Sequence, residues 1–163
     1  MNELPSFEKE ITITGEKLVI KNERIKAQEY IEFLTRTDLG NQYPREDFAS
    51  RIATLLQNIQ ISLVVRNAEH SIVAICFGLT DFAYWLFLTD LGVTKHYERK
   101  GIGKILVALA HELAGGERKI IQILCAADNA IPFYLKAGMK KAKDMMVKDT
   151  IEWTAFQVKK EFG

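Results

Sequence analysis

The chain has 163 residues, 48% hydrophobic and 26% charged, with a formal net charge of +1. That length suits one domain with a sizeable core, and the near-neutral balance excludes a global pull toward nucleic acid or an anionic membrane, so any anion site has to be local. Cys76 and Cys125 sit inside apolar runs and read as buried thiols of a reducing compartment; Met1 to Pro5 lacks the basic and apolar regions of a signal peptide and no apolar run is long enough to span a bilayer, so a cytoplasmic location without membrane attachment is expected.

Residues 1–10 are polar with one proline and are expected to form a loose arm. Ile11 to Thr14 alternates as a short strand does, Gly15-Glu16 reads as a turn, and Leu18-Val19-Ile20 as a first core strand. The period then changes: Ala27, Tyr30, Ile31 and Leu34 recur at helical spacing, which predicts a helix to about Arg36. Asp38 to Asn41 breaks it, Tyr43-Pro44 turns the chain, and Phe48, Ile52, Leu55 and Leu56 mark a second helix opened by Glu46 and Asp47. Ile61 to Arg66, Ile72 to Leu79 and Phe82 to Val93 follow as an antiparallel meander. A helix is expected to about Ala114, ended by Gly115-Gly116, and then a buried strand from Ile120 to Ala126. A strand that follows another through one helix is its parallel neighbour, by a right-handed crossover. Ala130 to Lys136 reads as a short helix capped by Asp128 or Asn129, and Lys140 to Val147 with Trp153 to Lys159 as a closing hairpin. With no internal repeat or linker, the expectation is a single α/β (α+β) domain over residues 1–163, its sheet mostly antiparallel with one parallel pair in the middle.

The organising stretch is Glu98-Arg99-Lys100-Gly101-Ile102-Gly103-Lys104, where a strand gives way to a glycine turn and a helix. The first amides of a helix have no carbonyl partner and lie at the positive end of its dipole, so the turn suits a phosphate or pyrophosphate, with Arg99, Lys100 and Lys104 adding charge. Gly101 and Gly103 permit special backbone angles and close approach; as ordinary turn glycines they would look the same. A Walker loop is excluded because Gly103-Lys104 is followed by Ile105, and a Rossmann fingerprint because its third small residue is Leu106. No His, Cys or acidic cluster has metal-ligand spacing, so no metal is expected.

With Glu98 to Gly103 and a second run, Ala130-Ile131-Pro132-Phe133-Tyr134-Leu135-Lys136-Ala137-Gly138, the chain resembles the GCN5-related N-acetyltransferases (GNAT) from about Leu18 to Val158. The first run matches that family's Gln/Arg-x-x-Gly-x-Gly/Ala motif except at Glu98; the second matches Ala-x-x-Phe-Tyr-x-Lys-x-Gly throughout and is the more specific. The resemblance implies an acyl-CoA N-acyltransferase fold whose parallel strands splay apart, acetyl-CoA as co-substrate and a primary amine as acceptor. It places the pyrophosphate on Arg99, Lys100, Gly101, Gly103 and Lys104, and the pantetheine arm against the backbone of Leu91 and Val93, with Gly92 read as the mark of a bulged strand or as a packing glycine. Tyr134 is implied as the general acid that protonates the departing thiolate, against a core tyrosine bonded to backbone. Asp90 is the candidate base, against a strand-end hydrogen-bonding residue.

Two positions depart from the family pattern. Glu98 places a carboxylate beside the expected pyrophosphate and is expected to point away. Ala127 stands where many relatives carry an asparagine; Asn129, two residues on, is the nearest replacement as a cofactor contact, with helix capping as its competing role. The acceptor is expected over the opposite side of the splayed strands, lined by residues of the two early helices, including Tyr43 in their linker, and of the Asp81 to Trp85 turn, where Tyr84 and Trp85 select an apolar acceptor part or are plain sheet packing. A catalytically silent CoA-binding module of the same fold is the alternative function. Small members of the family often dimerise, so a homodimer remains open.

Overall fold

Alternation at the start of the chain produces a hairpin. The computed structural model describes residues 3–163 (Asp128 by its backbone alone), and in it β1 (Glu8–Ile13) pairs antiparallel with β2 (Glu16–Asn22). The turn between them is Thr14-Gly15, both at positive φ (48° and 84°), the backbone twist that two-residue hairpins favour. The expected loose arm therefore ends before Glu8: Glu8 to Glu10 are paired with Val19 to Lys21, because the β2 edge offers backbone partners that a free arm would leave unsatisfied.

The helices α1 (Ala27–Leu34) and α2 (Phe48–Asn58) follow, then β3 (Ile61–Arg66), β4 (Ile72–Thr80) and β5 (Trp85–Val93), then α3 (Ile102–Ala114) and β6 (Gln122–Cys125). The strands form one six-stranded sheet in chain order, antiparallel except that β5 and β6 are parallel across the α3 crossover, as the element order predicts; the pair stands at the edge of the sheet and not in its middle as expected, because no strand follows β6. Strand alternation gives the sheet two apolar faces. Leu63 and Val65 pack under α3 with Leu106 and Ala110, while Val64, Ile75 and Phe77 pack under α1 and α2 with Phe33 and Ile52. No helix among the described residues is long and apolar enough to cross a membrane.

One irregularity sets the geometry of β5. Asp90 lies opposite Phe77 and Leu88 opposite Gly78, so Thr89 is an extra residue: a β-bulge. Before it, Leu86 and Leu88 face the α3 core and Trp85 and Phe87 face outward. After it, Asp90 and Gly92 are buried toward α1, while Leu91 and Val93 pack at the edge of the α3 core. The bulge is thus at Thr89 and not at Gly92. Gly92 is a packing glycine: a Cβ there would collide with Leu39 Cδ1 and come within 3.3 Å of Phe33 Cε1.

The expected closing hairpin is absent. After α4 (Ile131–Lys136) the chain runs without regular structure to a single bridge between Ala155 and Pro44, and ends in α5 (Val158–Phe162). Phe156 and Val158, read from sequence as strand residues, are instead buried against α1 and α2, where they seal the end of that core. Burial of these two side chains on the far face keeps the segment from folding back as a hairpin.

Gly92→Ala is expected to displace Leu39 and destabilise the fold by about 1–3 kcal/mol. Chemical denaturation of Gly92→Ala and of Gly92→Ala/Leu39→Ala checks this, the double variant recovering less stability loss than the two single costs predict by addition.

Candidate active site

β5 outruns β6. Their pairing begins at Trp85 opposite Gln122 and stops at Leu88 opposite Cys125, yet β5 continues to Val93, held on its other side by β4. Beyond Leu88 the two strands part, and a cavity of about 1240 Å³ opens there. β5 supplies Leu91, Gly92 and Val93; the 3-10 turn after α1 supplies Asp38, Leu39 and Asn41, joined by Gln42. Ala127, Asn129 and Tyr134 close it from the segment after β6, and Glu98 stands at the end nearest α3.

The glycine turn follows Glu98 directly. Tyr97 anchors its approach: the ring is buried, its hydroxyl donates to Glu16 Oε1 at 2.7 Å, and the Lys100 ammonium lies 5.5 Å from the ring centroid. Arg99 (φ 59°) and Gly101 (φ 86°) are both left-handed, a reversal that only a glycine makes without strain. Gly101 is the N-cap of α3 and has no side chain to cap it; the helix's hydrogen bonds begin with Ile105 N–H donating to Gly101 O at 3.2 Å. The amides of Ile102, Gly103 and Lys104 therefore end the helix without an intrahelical acceptor. Gly103 has a different job. Its φ is helical, and a Cβ there would stand 3.2 Å from the Phe133 ring. The two sequence motifs thus pack against one another, which holds α4 over the start of α3. Arg99, Lys100, Gly101, Gly103 and Lys104 lie outside the cavity wall, beyond Glu98, whereas Glu98 itself lines it.

Tyr134 on α4 is 8% exposed and reaches the parting of the strands. Its hydroxyl faces the Cys125 thiol. Burial pushes the phenol well above its usual range, and the Cys125 and Cys76 thiols push it the same way, so Tyr134 keeps its proton at neutral pH. Asn129 lies in a 3-10 turn, is exposed, and makes no cap bond to α4; it faces the cavity instead. Capping, the competing role, is excluded because the residue before α4 is Ala130.

Asp90 sits at the bulge, 5% exposed, and its carboxylate is not on the cavity wall. Tyr43 donates a short hydrogen bond to Oδ1, and Tyr30, from α1, donates to the same oxygen at 3.4 Å; the two phenol oxygens are 2.9 Å apart. No cation pairs with Asp90 among the described residues. Burial raises its pKa, and the hydrogen bonds from Tyr43 and Tyr30 work against that rise. Both phenols are pushed up as well, by burial first and then by the Asp90 charge. The network ties the loop between α1 and α2, through Tyr43, to the bulge in β5.

Tyr84 and Trp85 are not at this site. They stand at the β4–β5 turn, where Asp81 Oδ1 accepts the amides of Ala83, Tyr84 and Trp85 at 2.8–2.9 Å, and β5 reaches the cavity only from Leu88 onward. Both are half-exposed or more and line none of the site.

A family model described as the acetyltransferase (GNAT) domain matches residues 59–141, just over half of the chain and the whole of the β3-to-α4 frame described above. The chain belongs to the GNAT family. No curated protein matches it. Solved structures do. A Streptococcus pneumoniae GNAT acetyltransferase is 17% identical with a TM-score of 0.63, covering 82% of this chain and 99% of its own. The glucosamine-6-phosphate N-acetyltransferase of Arabidopsis thaliana is 17% identical at 0.54, covering 82% and 99%. An aminoglycoside acetyltransferase from a soil metagenome, solved with sisomicin, is 19% identical at 0.56, covering 83% and 97%. At such identities the likeness is one of fold. Family membership carries acyl transfer as the general chemistry and acetyl-CoA as the family's donor.

Within this GNAT frame, sequence reading missed the Tyr30–Tyr43–Asp90 network. The signal was present: a tyrosine on the apolar stripe of α1 and an aspartate inside an apolar strand each need a buried polar partner. Pairing them required the fold.

Asp90 yields a pH prediction. A carboxyl whose folded pKa is raised contributes stability that is full below its unfolded value and is lost as pH rises through the folded value. Asp90→Asn lacks that titration. Its unfolding free energy, followed by urea denaturation, is therefore expected to gain on wild type as pH rises from the unfolded carboxyl value of about 4 through the raised folded value; a constant difference would contradict the burial argument.

Proposed function

We propose that the chain is an acetyl-CoA-dependent N-acetyltransferase that moves an acetyl group to a primary amine by direct attack in a ternary complex. The observation that supports this most is one cavity walled by an unpaired β5 edge and a buried, protonated Tyr134, with the uncapped α3 turn following directly on Glu98 at its wall. The pyrophosphate would rest on the amides from Gly101 to Lys104, with Arg99, Lys100 and Lys104 offsetting its charge. The pantetheine amides would continue the sheet against Leu91 and Val93, where β6 has withdrawn, with Asn129 alongside.

The neutral amine nitrogen attacks the thioester carbonyl carbon, a C–N bond forms and the C–S bond breaks, and the sulfur leaves with the Tyr134 proton. The nitrogen's surplus proton passes toward Asp90, which its raised pKa makes a stronger base than an exposed carboxylate; Tyr43 stands between Asp90 and the acceptor loop. The second reading, a catalytically silent CoA-binding module, draws on two features: Glu98 on the cavity wall and Asp90 beneath two phenols.

Transfer to a panel of amines separates the two. Tyr134→Phe is expected to lower kcat by about 100-fold, the usual scale of one general acid, with CoA affinity kept. Unchanged turnover would remove Tyr134 from the chemistry. Gly101→Glu is expected to abolish CoA binding in a calorimetric titration; no atom lies within 4 Å of a Cβ there, but the φ of 86° strains any side chain, so a thermal melt beside the titration checks that the variant is folded. Saturable CoA binding without turnover of any amine would favour the silent module.

A further inference from the structure

A second cavity, of about 490 Å³, meets the first at Tyr134, Ala126 and Ala127, which stand on the walls of both. The two differ in chemistry. The first carries Asp38, Glu98, Asn41, Gln42 and Asn129. The second is lined by Phe87 and Leu124, side by side across the β5–β6 pair, by Ile131 and Leu135 one turn apart on α4, and by Met139 and Met145. Among the described residues its only charged ones are Lys140 and Lys141. The chain does not fill this cavity with its own side chains. Leu135, Met145 and Val147 are 51%, 49% and 80% exposed around it. Of the three residues common to both walls, two are alanines, which place no side chain beyond Cβ between the cavities.

The position of the opening assigns the occupant. On the reading above, on which this inference rests, the thioester sulfur lies beside the Tyr134 hydroxyl. The first carbons of any acyl group are one and two bonds from that sulfur, so an acyl group longer than acetyl begins where the two cavities meet. The amine has the polar cavity; an aliphatic chain has only the apolar one. Methionines at the wall adapt to a flexible chain.

We propose that this cavity receives the acyl chain of the donor, so that the enzyme accepts linear medium-chain acyl-CoA thioesters as well as acetyl-CoA and holds them more tightly. A methylene occupies about 30 Å³, near a water's share of the liquid, so the volume admits a chain of roughly eight carbons with room to spare. Each buried methylene is worth roughly fourfold in affinity.

The test is calorimetric titration of the full chain with CoA, acetyl-CoA and octanoyl-CoA. Octanoyl-CoA is expected to bind at least about tenfold more tightly than acetyl-CoA, a fraction of what six further methylenes offer if all are buried. Leu124→Trp, which fills the cavity, is expected to bring that preference to within about twofold without changing acetyl-CoA binding. Met145→Trp, at an exposed position, does the same should Leu124→Trp fail to fold. Equal or weaker binding of octanoyl-CoA overturns the inference. So does competition by hexylamine that Leu124→Trp abolishes, since the cavity would then serve the acceptor. If neither CoA nor acetyl-CoA binds, the transferase reading itself has failed, an outcome distinct from loss of the chain-length preference alone.

Discussion

Everything at the site depends on one mismatch of length. β5 runs to Val93 while its parallel neighbour stops at Cys125, opposite Leu88. A β-strand edge in a protein interior has to be paired, covered or wet. Here β4 pairs one edge of β5 to the end, and the other edge is left facing a cavity. The Thr89 bulge adds a second consequence. By shifting the alternation, it turns Asp90 and Gly92 toward α1 and leaves Leu91 and Val93 at the open edge. A straight β5 would have pointed Asp90 into the α3 core with Leu86 and Leu88, away from Tyr30 and Tyr43.

The polar groups around this opening are sorted by charge. Cations, Arg99, Lys100 and Lys104, gather at the α3 turn, and carboxylates, Asp38 and Asp90, lie toward the α1 side. An anionic donor and a cationic amine would approach such a site from different ends. Glu98 sits between these regions. Asp90 has phenols rather than a cation for partners, which keeps its basicity available at the cost of a buried, imperfectly compensated charge.

Much of the frame was legible in the sequence, for physical reasons that differ by element. The meander and α3 carry strong periodicity, and Tyr134 and the glycine turn lie in motifs whose residues are constrained by backbone geometry and by close packing. Gly103 was legible as a required glycine, but its reason, the Phe133 ring, belongs to a contact between segments thirty residues apart in order. The closing hairpin was misread because Trp153 to Lys159 alternates like a strand while Phe156 and Val158 find better burial against α1 and α2. Asn129 was misread as a cap because its residue type favours caps, whereas the turn it occupies directs it to the cavity. Tyr84 and Trp85 were placed near the acceptor on nothing more than their aromatic character; strand length put them at the other end of β5. In each case local pattern was right about the residue and silent about its neighbours.

The most direct measurement is a crystal structure of the chain with CoA bound. The pyrophosphate oxygens should lie within hydrogen-bond distance of the amides between Gly101 and Lys104, the pantetheine amides should pair with the backbone of Leu91 and Val93, and the thiol should sit beside the Tyr134 hydroxyl. A pyrophosphate held elsewhere, or a pantetheine arm that leaves the β5 edge unpaired, would contradict the account.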